Sequence, residues 1–163
     1  MALSPAQLVT FKAAILAETD AGVVAARAAR TDGVIRDFYN APSSPTFTVW
    51  KSLVSIADVG RKINGGELAG LTTLNVTRLQ CIATYLAGGI SPVLADHRAF
   101  FDDIFSGAGG ATTRAALLAL WKRVASRVER LFATGTGSDA SPGTLVFEGA
   151  IDVNDVSLAL NLP

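Results

Sequence analysis

A chain of 163 residues, half of them hydrophobic and only 17% charged, carries too much apolar surface to stay disordered and enough to build one packed core. Fourteen Lys and Arg balance fourteen Asp and Glu, which excludes the long-range field that gathers proteins on nucleic acid or anionic lipid. Mean hydropathy is high at +0.38, yet no run of about 18 residues is free of charge and turn residues, so the surplus points to close helix packing or burial between copies rather than to a membrane span.

From the N-terminus, Ser4, Pro5 and Gln7 supply a capping hydroxyl, a proline at the first helical position and a reciprocal side chain. They start a helix with Leu8, Phe11 and Ile15 on its apolar face. Thr19 and Asp20 break it and cap an alanine-rich helix over 21–30, and Thr31-Asp32-Gly33 opens a third that reaches Tyr39. Pro42 and Pro45 force a loop. Residues 47–50 are extended, and a strand of four has no evident partner, so an anchor burying Phe47 and Trp50 is expected. A short helix from Ser55 is expected to stop at Asn64-Gly65-Gly66.

Leu74, Leu79, Ile82, Tyr85 and Leu86 suit a buried helix over 73–87. Ser91-Pro92 opens the next, which runs to about Phe105 before the glycines of 107–110 break it. Leu117, Leu120, Trp121, Val124, Val128, Leu131 and Phe132 form one stripe at the 3.6-residue period, predicting a single long helix. Residues 135–143, with glycines, serines and Pro142, read as an exposed linker. Beyond it, 144–147 is a short strand, Glu148-Gly149 a bend, and Asp152 begins a last turn of helix. The expected fold is therefore mainly α: an irregular bundle of about six to seven helices over 1–134, a linker over 135–143, and an extended docking arm over 144–163. An apolar tail behind a flexible linker calls for a partner, with Leu145, Phe147, Val153, Val156, Leu158, Leu160 and Leu162 as its contacts.

Chemistry-bearing groups are sparse. His97 is the sole histidine and Cys81 the sole cysteine, too few for a metal site of ordinary ligand spacing, so no metal or cofactor is expected. Cys81 allows no internal disulfide, and the N-terminus lacks the pattern of a signal peptide, which favours maturation in a reducing cytoplasm. A Cys81–His97 nucleophile pair is conceivable, but Cys81 falls on the helix expected to be buried, where a thiol acts as a small hydrophobe. Asp102 and Asp103 are neighbours about 100° apart around a helix and do not converge as an acid–base pair. The glycines of 107–110 lack the lysine and preceding strand of a phosphate loop, and those of 135–137 follow a helix rather than a strand. An enzyme is not expected. Arg123, Arg127 and Arg130 make a basic ridge on the long helix, able to contact phosphates or an acidic partner, or forming only its solvated face.

Residues 3–8 (LSPAQL), 39–51 (YNAPSSPTFTVWK) and 127–137 (RVERLFATGTG) through Phe147-Glu148-Gly149 together resemble a family of small structural proteins of tailed bacteriophages encoded among head and neck genes. The resemblance implies a non-enzymatic head-to-tail connector, or adaptor: helical subunits in a virion ring of about twelve copies with closed symmetry, beneath the portal and meeting tail or neck proteins. It also implies that the segment 144–163 holds the portal, while DNA passes without specific contact. Many arms on one symmetric partner would bind by avidity, and deletion after Gly143 would then abolish portal binding while sparing helical content. A tail-completion or capsid-decorating subunit is the second possibility. A small DNA-binding regulator using the arginine ridge is the third.

Overall fold

The computed structural model describes residues 2–163. Among them the chain is mainly helical, with ten α-helices and four short strands, and it divides into two units. Unit 1 joins the residues up to Val49 with Val124–Pro163, and unit 2 is Trp50–Arg123.

In unit 1, α1 (Pro5–Ala17) begins on the capping box of Ser4 and Gln7 and buries Leu8, Phe11 and Ile15. Asp20 caps α2 (Ala21–Ala29) by accepting from the Gly22 and Val23 amides, and α3 (Asp32–Asn40) buries Ile35 and Tyr39. These local signals suffice because capping satisfies backbone donors that a helix start leaves open.

In unit 2, α4 (Ile56–Gly60), α5 (Gly65–Ala69), α6 (Thr73–Tyr85), α7 (Ala95–Ile104) and α8 (Ala111–Trp121) surround Val54, Val59, Ile90, Phe101, Ile104, Phe105, Leu117 and Trp121. Asn64 does not end a helix: its side chain accepts from the Gly66 and Glu67 amides and starts α5. The helix opened at Ser91-Pro92 in sequence begins only at Ala95. Most consequentially, α6 buries no residue, although its apolar content suits a buried helix.

The strand without an evident partner has one. β1 (Thr48–Trp50) pairs with β2 (Lys122–Val124); Val49 is fully buried, while Phe47 and Trp50 are half-buried. β2 also interrupts the expected long helix. Ser126 and Glu129 form a reciprocal capping box that starts a separate helix, α9 (Arg127–Phe132). The continuous apolar stripe is thus two helices in different units, and a local cap overrides the period.

The largest correction concerns the last thirty residues. The stretch 135–143 is a fitted loop: the Gly137 carbonyl accepts from the Thr48 amide at 2.6 Å and the Gly143 amide donates to Thr48 O at 2.8 Å. β3 (Ala133–Thr134) and β4 (Thr144–Leu145) then pair antiparallel, and α10 (Val153–Leu160) packs on α1 and α3. Phe147, Ile151, Val156 and Ala159 belong to the same core as Phe11, Ile15 and Ile35. Residues 144–163 are therefore part of unit 1, not an extended arm, because their apolar side chains find shelter within their own fold. Asp155, 3% exposed, fastens the closure by accepting from the Leu3 amide at 3.0 Å.

One surface contact in unit 2 gives a pH prediction. The Glu67 carboxylate accepts from the backbone amides of Thr112 at 2.9 Å and Thr113 at 2.7 Å, capping α8 from α5. The Thr113 side chain, then the two amides, draw its pKa from 4.5 down to about 2. Ionised Glu67 is favoured by folding, so its stabilisation is complete above the ordinary carboxylate pKa and fades as pH falls towards about 2. The Thr112 and Thr113 amide NMR shifts will titrate with that low midpoint, and Glu67→Gln will abolish the transition. A midpoint at the ordinary glutamate value would mean the cap is not formed in solution.

Candidate interaction surfaces

The seven side chains assigned to a partner separate into three groups. Phe147 and Val156 are in the core of unit 1, and Leu160 and Leu162 pack against it. Leu145 is half-buried in β4. Only Val153 and Leu158, 38% and 56% exposed, remain at the surface for another molecule. Val146, just past the end of β4, joins them at 70% exposed.

The arginine ridge does not exist as one helix face. Arg123 lies in β2, whereas Arg127 and Arg130 are on α9. The Arg127 guanidinium stacks 4.0 Å from the centre of the Phe38 ring and donates to Phe38 O at 2.8 Å. Arg130 donates to Pro45 O at 3.0 Å. Both therefore brace α9 against residues 38–45. They also line an open cleft of about 800 Å³ with Glu18, Asp20, Phe38 and Tyr39. Glu18 and Asp20 balance the two guanidiniums within it, so the cleft is not an anion trap. Burial, and then the nearby Glu18, raise the Tyr39 hydroxyl pKa to about 12.

In unit 2, α6 and α7 border a groove of about 420 Å³ walled by Cys81, Ile82, Tyr85, Leu86, His97 and Phe100. Here Cys81 is exposed, contrary to its expected burial, because it shares the outer side of α6 with Leu74 and Tyr85. Cys81 and His97 do line one groove, but His97 Nδ1 accepts from the Ser91 amide at 3.1 Å, and no carboxylate lines the groove to orient the ring. The elements of a nucleophile pair backed by an acid are not assembled.

Asp102 and Asp103 are both exposed, with Asp103 3.8 Å from Arg78. The glycines of 107–110 make a tight turn in which Gly110 faces the Phe105 carbonyl, and Arg114 donates to that carbonyl. That turn presents an occupied acceptor rather than a nest of amides for phosphate. Among the described residues, no group of three His, Cys, Asp or Glu side chains could hold a metal, and no helix is long and apolar enough to cross a membrane. No protein-family model, curated protein or solved structure matches the chain.

Proposed function

We propose that this chain is a non-enzymatic virion subunit, an adaptor that assembles as a ring between the portal and tail of a phage particle. The carrying observation is the apolar surface left outside both cores: Val9, Leu16, Val24, Val34 and Leu158 in unit 1, and Leu53, Leu74, Tyr85, Leu94 and Leu118 in unit 2, are each at least 42% exposed. So many large apolar side chains at the surface of a charge-poor protein suit contacts between copies. The three sequence segments that resemble phage neck proteins supply the setting. Contact with a portal falls to the exposed Val146, Val153 and Leu158, since Phe147 and Val156 are occupied within their own fold. Arg127 and Arg130, each bonded to a carbonyl, give a DNA-binding reading little support.

Electron microscopy of the purified chain, alone and mixed with portal particles, tests the proposal. Rings with an axial hole that admits duplex DNA are expected in at least one of the two samples. Binding to the outer capsid instead would favour a decoration subunit, and no assembly on either component would end the adaptor reading.

A further inference from the structure

Trp121 carries a polar group that the core of unit 2 does not satisfy. The residue is 2% exposed, and its indole Nε1–H is a buried donor without an acceptor among the described residues. An unpaired buried donor is costly, and in folded proteins such groups are met by water or by a ligand. The same side chain lines an open cleft of about 320 Å³ between α7 and α8.

Arg98 and Asp102 of α7 and Arg114 of α8 line this cleft as well. Both guanidiniums are fixed by backbone carbonyls. Arg98 donates to Pro92 O and, at 3.1 Å, to Val93 O, and its Cζ lies 4.3 Å from the centre of the Trp50 ring. Arg114 donates to Phe105 O. These bonds use Nη1, so Nε and Nη2 of each side chain are left to donate elsewhere. Charge in the lining is net positive, two guanidiniums against the one carboxylate of Asp102. Of the other acids on α7, Asp103 sits 3.8 Å from Arg78 and Asp96 is in the first turn, and neither lines the cleft. Arg114 is the one charged residue of α8, whose Ala111, Ala115 and Leu118 make an apolar wall.

We propose that this cleft binds a small carboxylic acid as its monoanion, the apolar body beside Ala115 and Leu118 and the carboxylate held by Arg98, Arg114 and the Trp121 indole N–H. A planar carboxylate matches the fork of a guanidinium. One negative charge brings the lining to neutrality, and a second would meet Asp102. Apolar walls with a few convergent donors are the usual make-up of a small-molecule site. The site lies wholly within unit 2 and stands whether or not copies assemble, so it goes beyond the adaptor reading.

Titration of the whole ¹⁵N-labelled chain with benzoate, followed at the indole signals of its two tryptophans, tests it, with Trp121→Phe assigning the signals. The Trp121 indole proton will move downfield and saturate, while sodium chloride at equal ionic strength leaves it in place. Arg114→Gln will weaken binding about tenfold or more, as expected for a lost hydrogen bond to a charged group. Asp102→Asn, at an exposed position, will tighten it about threefold by removing a nearby like charge. A folding defect cannot produce that gain. The dianion succinate will bind more weakly than benzoate. N-acetyl-glycyl-phenylalanine offers the same group at a chain end; saturable binding of either acid supports the site, and the tighter one identifies the source as a free acid or a protein terminus. A Trp121 signal that drifts without saturating, or a shift confined to Trp50, would overturn the proposal. So would a Trp121 proton already downfield and indifferent to benzoate, which would mean that water satisfies the donor. Unchanged or weaker binding by Asp102→Asn would also overturn it.

Discussion

Deleting residues 144–163 will unfold unit 1 rather than merely disarm it. The deletion removes Phe147, Ile151 and Val156, all at most 3% exposed, and each fully buried side chain of this kind is worth about 1.5–3 kcal/mol. Their sum falls in the range of about 5–15 kcal/mol that holds a whole domain together. Two buried closures go as well: the Leu3 amide loses Asp155, and Glu129 loses the Gly149 amide that donates to it at 3.0 Å. Leu8, Phe11, Ile35 and Val128 would face water where the segment lay. Helical circular dichroism will fall by more than α10 alone contributes, and proton NMR will lose the dispersed methyl signals of unit 1. A truncated chain that keeps its cooperative transition at the wild-type midpoint would show that the segment is a dispensable arm. A docking experiment built on this deletion would confuse lost binding with lost folding, so portal contact is better probed with Val153 and Leu158, whose exposure permits replacement without opening the core.

What could be read in the sequence was decided within a few residues of itself. Ser4-Pro5-Gln7 starts α1, Asp20 starts α2, and Asp152 starts α10, because a cap needs only a side chain and amides two or three positions away. The mainly α class follows. The reading failed where two local signals compete or where distance matters. At Ser126, an apolar period spanning 117–132 and a Ser-x-x-Glu cap point to opposite outcomes, and the cap with β2 wins. Over 135–143, composition is ambiguous: glycine permits a loose linker and equally a backbone pressed against a ring. For the tail, a bond between residues 3 and 155 leaves no mark on either neighbourhood. On the candidate surface, apolar content in α6 was visible, but the choice between a core and an interface depends on tertiary packing alone.

The loop over 135–143 yields the second large effect, because it separates the two uses of glycine. Gly137 has φ +65°, and a Cβ there would sit 2.1 Å from Phe47 Cδ2. The ring has little room to retreat, since it also lies against Gly143, where a Cβ would come 2.6 Å from its Cε1. Gly137→Ala therefore meets both left-handed strain of roughly 1–2 kcal/mol and an overpacking penalty of about 1–3 kcal/mol. Gly149 provides the comparison: its φ is +128°, and a Cβ would meet nothing within 4 Å, so Gly149→Ala incurs backbone strain without a clash. Urea denaturation will show a larger loss for Gly137→Ala than for Gly149→Ala. Placing Gly137→Ala in a Phe47→Ala background will recover the packing part and leave the strain, a coupling visible in a double-mutant cycle. Additive losses would mean that Phe47 does not rest on Gly137, and residues 135–143 would again be free to act as a linker.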